Sequence, residues 1–243
     1  MFIIKPYIFR QFDDLIFGFS TKIGLNREWP YFYNISLSVG DDEEIVKENR
    51  KKLFSYLNLE DFKIHFQKQT HSDIIRVVDS SSSVEESDAM ICSEPRNALA
   101  IVVADCVSIF IFDIKRKIIA GIHSGWRGTY KRILEKTLIK LFNDFGSKAD
   151  DLYCYLGPSI SQVNYEVGEE VACLFDEKYL LKTNNKIFLD VAAVNYDILI
   201  NYNIPDIQIQ KSSLCTYEMK ELFHSFRRDG QKSGRLVGLI GLK

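Results

Sequence analysis

Residues 98–128, ALAIVVADCVSIFIFDIKRKIIAGIHSGWRG, decide how this chain is read. Three apolar runs, 98–104, 106–112 and 117–123, are separated by Asp105 and by the polar turn Ile114-Lys115-Arg116-Lys117. Residues 98–112 are apolar almost throughout, so both faces of such strands require covering, by helices or by a second sheet. If the last two runs form a hairpin pivoting near Ile114 and Lys115, Cys106 faces His123. Directly opposed residues of an antiparallel pair have Cβ atoms roughly 4.5–5.5 Å apart, close enough to share a metal or a proton. A cysteine after an apolar strand is also a common small core residue, and spacing alone leaves both readings open.

Around this stretch, helical periodicity predicts helices over 42–57, capped by Asp41, and over 129–145, stopped by Gly146. Shorter helices are predicted at 168–177 and at 190–202, the second capped by Asp190. Further strands are predicted at 63–68, 73–78, 152–156 and 206–210. Helices and strands alternate without a βαβ period. The fold class expected is therefore α+β with layered sheets, in one domain over 1–243. The serine run 79–83 reads as a solvated loop.

With 243 residues, 46% of them hydrophobic, the chain can bury a substantial core. A net charge of −2 gives no general attraction to nucleic acid or membrane. MFIIKPYIFRQF is broken by Lys5, Pro6 and Arg10 and lacks the apolar centre of a signal peptide. Five scattered cysteines with no CxxC pair suit a reduced compartment, and a cytoplasmic protein is expected. The sequence does not set an oligomeric state.

Of the four histidines, His71 and His123 follow strand-like runs, as Cys106 does. Two imidazoles and a thiolate suit zinc, and three protein ligands leave a fourth position for water or substrate. A second cluster, Phe223-His224-Ser225-Phe226-Arg227-Arg228-Asp229-Gly230 with Ser233-Gly234-Arg235, offers guanidinium forks for phosphate or carboxylate. With Arg127 it forms a candidate anion pocket; a set of structural ion pairs is the other reading. In the third segment, 34–42, Asn34 and Ser36 are available to a ligand.

Together these segments resemble the YfiH-type laccase-domain family, also described as polyphenol oxidoreductase laccases. The resemblance rests on ordered blocks covering most of the chain: Asn34 to Asp42, Gln69-Thr70-His71, Ser87-Asp88-Ala89, Ala104-Asp105-Cys106, His123 to Gly128, Gly157-Pro158-Ser159-Ile160, Tyr165-Glu166-Val167-Gly168, Phe223 to Arg235 and Leu239 to Lys243. It implies a four-layer α/β/β/α fold with mixed sheets. It also implies zinc, sometimes described as copper, on His71, Cys106 and His123. The activity implied is purine nucleoside phosphorylase, acting on adenosine, inosine, guanosine or methylthioadenosine with phosphate, together with adenosine deaminase. Substrate or phosphate contacts are then expected from Asn34, Arg127, Arg227, Arg228 and Arg235. Two other functions use the same residues: a metal-independent Cys-His hydrolase or amidase acting on a small metabolite such as a cell-wall precursor, and a copper-dependent polyphenol oxidase.

The chain departs from the family pattern at Lys22, where arginine is usual, at Ser38 for histidine, at Ser108 for proline and at Ser124 for alanine. None of these removes an expected metal ligand. Lys22 keeps charge but not the bidentate fork.

Overall fold

The structure, a computed structural model, describes residues 1–243. In chain order its elements are β1 (Ile3–Ile4), β2 (Leu15–Ser20), α1 (Glu43–Tyr56), β3 (Lys63–His65), β4 (Ile75–Val77), β5 (Ala89–Cys92), β6 (Asn97–Val103), β7 (Val107–Asp113), β8 (Ile118–Ser124), α2 (Trp126–Tyr130), α3 (Ile133–Phe145) and β9 (Leu152–Leu156). There follow β10 (Glu166–Val167), α4 (Glu169–Ala172), β11 (Leu180–Thr183), β12 (Lys186–Leu189), α5 (Val191–Asn201), β13 (Ile209–Lys211), α6 (Phe226–Asp229) and β14 (Leu236–Leu242).

Two large mixed sheets form the body. One has the order β1-β2-β14-β6-β3, the other β13-β9-β7-β8-β5-β4, and a small sheet, β10-β12-β11, stands apart. Alternation along each strand sorts the apolar residues into layers. On β6, Ala98 and Ala100 pack with Leu53 and Leu57 of α1 and its C-cap, while Leu99, Ile101 and Val103 point between the sheets. On β7, Phe110 and Phe112 meet them there, and Ile109 and Ile111 pack outward with Leu134, Leu138 and Leu141 of α3 and with Leu199 of α5. This gives the expected α/β/β/α order. It also explains the unbroken apolar run: all seven residues of β7 are buried. Burying one such side chain is worth roughly 1.5–3 kcal/mol. A one-residue slip would exchange the two faces of the strand.

The hairpin register differs from the expected one by two residues. Ser108, not Cys106, pairs with His123, and Asp113 pairs with Ile118. The cause is Asp113, whose Oδ1 accepts the backbone N–H of Lys115 and of Arg116 and builds a four-residue turn centred one position later. A shift of two keeps side chains on the same face, so Cys106 becomes a diagonal neighbour of His123.

Helix boundaries also shift. Asp42 rather than Asp41 caps α1, accepting from Glu44 N and Ile45 N. Asp190 caps α5 as expected, and Gly146 ends α3 at a φ of 66°. The predicted helix 129–145 is two helices, because Arg132 adopts a left-handed φ of 62° between them. The short α2 turns Thr129 inward, where Ser124 Oγ lies 2.8 Å away and the Asn195 amide donates to it. The span 168–177 holds only the single turn α4, and 206–208 is a 3-10 turn ahead of β13. The central strand β14 escaped the pattern reading because glycine interrupts it. Gly238 is needed there: a Cβ would lie 2.2 Å from the Phe110 ring.

Candidate functional site

Three loops and strand ends meet where the two large sheets open. His71 lies on the loop between β3 and β4, Cys106 on the crossing from β6 to β7, and His123 near the end of β8. Their donor atoms all lie within 4.8 Å of one another. Cys106 Sγ is 3.9 Å from His71 Nε2, and the two imidazole centroids are 4.9 Å apart.

Two carboxylates build this convergence. Asp88 is fully buried and immediately precedes β5. Its Oδ1 accepts from His123 Nδ1 at 2.7 Å and from His71 N at 3.1 Å. Its Oδ2 accepts from Thr70 N and from both the backbone N–H and the hydroxyl of Ser72. Burial alone would raise the Asp88 carboxyl, but these donors, His123 foremost, bring it down to about 2. With Nδ1 committed to Asp88, His123 has Nε2 free to meet the thiol. Asp105 anchors the loop that carries Cys106. Its Oδ1 accepts the Thr216 hydroxyl at 2.6 Å and its Oδ2 accepts Arg227 N at 2.7 Å. His71 and Asp105 both hold positive φ, 58° and 89°. Such conformations persist only where surrounding bonds over-determine them, and here the two aspartates supply those bonds.

Burial would push the Cys106 thiol up. The His123 imidazolium, with hydrogen bonds from His123 and His71, outweighs it and holds the thiol at about 6. For His123, burial acts downward, but the Cys106 charge and Asp88 raise the imidazole to about 9. Without a metal the pair is a thiolate beside an imidazolium.

The donor set fits a metal ion. Two nitrogens and one sulfur match a three-ligand zinc site with one open position, and a carboxylate behind a ligating histidine is the usual support. Gly125 leaves the space: a Cβ there would lie 2.8 Å from Cys106 Sγ and 3.1 Å from His71 Cδ2.

The three residues open into a cavity of about 800 Å³. Phe66, Trp126, Tyr165 and Phe226 give it aromatic walls, and Arg50, Arg127, Arg227 and Arg235 give it charge. Each guanidinium lies against a ring: Arg50 on Phe66 at 4.0 Å, Arg127 on Trp126 at 4.4 Å, Arg227 on Tyr165 at 4.8 Å and Arg235 on Phe226 at 5.5 Å. None of the four is in a salt bridge. Burial lowers the pKa of Arg50 and of Arg235. Asp105 and Cys106 partly offset that burial for Arg235, and no acid does so for Arg50.

The expected arginine cluster is only partly on this wall. Arg127, Arg227 and Arg235 line the cavity; Arg228 does not. Its five N–H groups are spent on Asp229 and on the carbonyls of Thr216, Tyr217 and Phe223. Asn34 is likewise internal. Its Nδ2 donates to Ser36 O and Asp41 Oδ2, and its Oδ1 accepts from Ser36 N and Arg235 N. Both lock loops rather than face the cavity. Arg50 takes a place that the sequence reading missed. Its Nε donates to Ile35 O, and Ile35 N donates to Arg235 O, so both guanidiniums hang from one segment beside Ser36 and Ser38. Arg235 Nη1 is spent on the carbonyls of Ser233 and Gly234, which leaves its Nε–Nη2 edge, and the Nη1–Nη2 edge of Arg50, for a ligand. The available signal was the position of Arg50 on the apolar stripe of α1, four residues after Val46 and three before Leu53, since an arginine placed there requires a reason.

Of the four substituted positions, Lys22 and Ser124 have local explanations, and nothing in the structure explains Ser108, whose buried hydroxyl has no partner. Lys22 lies 4.2 Å from the Phe32 ring centroid, off the cavity wall. The Ser124 hydroxyl lies between Thr129 and Asn195. Of the other histidines, His65 bonds Asn97 at 2.7 Å, and His224 is buried and pushed down to about 3 by burial and nearby cations.

Residues 16–243 match the profile of the family described as multi-copper polyphenol oxidoreductase laccase. A purine nucleoside phosphorylase of Clostridium acetobutylicum is 33% identical over 98% of this chain and 97% of its own length. The purine nucleoside phosphorylase YlmD of Bacillus subtilis is 30% identical over 95% of this chain and 89% of its own. Among solved structures, the Bacillus licheniformis hypothetical protein YfiH superposes with a TM-score of 0.90 at 31% identity, covering 97% of this chain and 94% of that one. YlmD from Geobacillus stearothermophilus gives a TM-score of 0.89 at 26% identity, over 96% and 94% of the two chains.

Proposed function

The chain belongs to the multi-copper polyphenol oxidoreductase laccase family, and from that membership and its site we propose that it is a purine nucleoside phosphorylase holding zinc on His71, Cys106 and His123. The observation that carries this reading is the pairing of the three-ligand site with arginines that have no acid partner, inside one cavity walled by aromatic rings. The relatives from Clostridium acetobutylicum and Bacillus subtilis carry the same activity in their names.

Phosphorolysis breaks the bond between C1′ of the ribose and the base nitrogen and forms one from C1′ to a phosphate oxygen. The bond pair leaves with the base, which takes up a proton. Arg50 and Arg235, with Ser36 and Ser38, suit the phosphate. They offer a bidentate fork and short donors where burial strengthens each contact. Tyr165, Trp126 and Phe226 suit the flat face of a purine. Holding both reactants in one cavity supplies much of the acceleration expected of such an enzyme. Zinc, when bound, supplies Lewis-acid chemistry, polarising a substrate oxygen and acidifying water. Adenosine, inosine, guanosine and methylthioadenosine all present the purine and C1′ that this arrangement requires. Adenosine deamination, giving inosine and ammonia from adenosine and water, belongs to the same proposal. Copper is the alternative metal for these ligands.

The test is direct. Zinc-loaded protein with adenosine and phosphate should release adenine and ribose 1-phosphate at a rate that rises with phosphate. Release of no base above the phosphate-free control would sink the reading.

One observation favours a second reading. A thiol at about 6 beside a charged imidazole is the equipment of a Cys-His hydrolase or amidase, active without metal. A chelator separates the two: a thiol enzyme keeps its activity under chelation and loses it on alkylation. The polyphenol oxidase reading has no such support, since only two of the four histidines stand at the site and copper centres rely on imidazole.

A further inference from the structure

A second cavity, of about 580 Å³, lies at the other end of β6 from the zinc-type site. Its floor is apolar, formed by Phe9, Phe12, Leu15, Phe17, Leu57 and Phe62. Its rim is cationic: Lys5, Arg10, Arg96 and Lys243 stand around it, and no acidic side chain lines it. Asp14, just before Leu15 of the floor, pairs with Lys117.

The rim cations are held without being neutralised. Lys5 Nζ lies 5.9 Å from the Tyr56 ring centroid, and the Arg96 guanidinium 5.7 Å from that of Phe62. Arg10 Nη2 donates to the carbonyl of Lys5, which fixes the side chain and leaves its charge unpaired. None of these four residues forms a salt bridge through its side chain. The floor is packed into the core. Phe9 lies tilted against Phe17 at 5.3 Å, and Phe12 meets Phe112 and Tyr153 edge-on at 5.2 and 4.8 Å, so these rings continue the core between the sheets.

The two cavities stand at opposite ends of β6. Arg96 precedes its first residue, and Asp105 and Cys106 follow its last. Seven strand residues at about 3.3 Å each put roughly 20 Å between them, so one ligand does not span both.

We propose that this second cavity binds an amphipathic organic anion of the medium-chain fatty acid class, its carboxylate among Lys5, Arg10 and Arg96 and its hydrocarbon body over the half-buried Phe12 and Phe62. An apolar body accounts for the phenyl floor, and a single negative head accounts for cations left without acids. Inorganic phosphate satisfies only the rim, and an uncharged alcohol only the floor.

The experiment is calorimetric titration of the zinc-loaded full chain with decanoate, with decanol and with inorganic phosphate, the last in the presence of decanoate. One decanoate should bind per chain, and decanol at least about tenfold more weakly, a difference of about 1.4 kcal/mol. Phosphate should not displace the decanoate. Charge reversal at the exposed rim, Lys5→Glu with Arg96→Glu, should weaken decanoate binding about tenfold or more, whereas Arg235→Gln in the other cavity should leave it unchanged. Circular dichroism and the melting temperature of the rim variant check that it folds. Should it fail to fold, Arg10→Gln and Arg96→Gln, each measured alone, carry the same test. Equal affinity for decanol, or decanoate binding that survives rim reversal and disappears with Arg235→Gln, would overturn the proposal.

Discussion

Oδ1 of Asp88 lies 2.7 Å from Nδ1 of His123 and accepts the backbone N–H of His71 at 3.1 Å, so one oxygen sets two of the three candidate ligands. His71 holds a left-handed backbone that this bond helps to maintain, and the imidazole of His123 has its orientation fixed by the same atom. Asp88→Asn preserves shape but removes the charge and turns one acceptor into a donor. Zinc affinity should fall about 10–100-fold. Competition against a chelating dye measures it, and unchanged affinity would mean that Asp88 only packs.

The pH response of the metal-free protein follows from the coupled pair. The His123 imidazole is raised to about 9, so its contribution to stability is complete below its ordinary value near 6.5 and is lost as pH rises through 9. The Cys106 thiol is lowered to about 6, so its contribution is complete above its ordinary value near 9 and is lost as pH falls through 6. The thiolate–imidazolium pair therefore exists between about pH 6 and 9. After chelation, the iodoacetamide alkylation rate assigned to Cys106 by difference from Cys106→Ser should rise with a midpoint near 6. A midpoint near 9 would show that the imidazole does not act on the thiol.

What the sequence disclosed divides along physical lines. The convergence of His71, Cys106 and His123 was legible because histidine and cysteine at the ends of apolar runs are few and chemically distinctive. The layers were legible because a run such as 98–112 has no polar face to give water. The register was not, since the Asp113 side chain, rather than any repeat, builds the turn. The arginine wall was half legible for a similar reason. Arg227 and Arg228 are adjacent, yet one faces the cavity and the other spends every donor on its own loop. Which carbonyls an arginine meets is decided by segments distant in sequence, and the same holds for Asn34 and Arg50.

That division yields a contrast between variants. Arg50→Gln and Arg235→Gln each remove a fork from the cavity, and a lost charge-assisted bond is worth about 1.5–3 kcal/mol. The KM for phosphate should rise about 10–100-fold in each, with a smaller change in the KM for the nucleoside. Arg228→Gln should leave the phosphate KM unchanged and instead lower the melting temperature, because it strips partners from three carbonyls and from Asp229. Steady-state kinetics with varied phosphate, beside thermal unfolding, separate the two. A phosphate effect confined to Arg228→Gln would reverse the assignment.

Asn34→Ala tests the loop lock. The amide joins Ser36, Asp41 and the backbone of Arg235 in a fully buried setting, so its loss leaves several polar groups unpaired. Unfolding free energy should drop by about 1–3 kcal/mol, read from urea denaturation. A variant of native stability whose only change is a raised nucleoside KM would return Asn34 to direct contact with substrate.

Gly125→Ala is the sharpest probe of the centre because the backbone there asks nothing of glycine. With φ at −74° and ψ at 174°, any residue can adopt the conformation. The only obstacle to alanine is space: its methyl group would stand 2.8 Å from Cys106 Sγ and 3.1 Å from His71 Cδ2. Both neighbours are candidate ligands, so relief moves at least one of them out of the convergence. The variant should fold, with a circular dichroism spectrum like that of the parent chain. It should hold far less than one zinc per chain after dialysis, measured by elemental analysis, and lose phosphorolysis in proportion. Full zinc occupancy in the alanine variant would show that the space beside Gly125 is not what admits the ion.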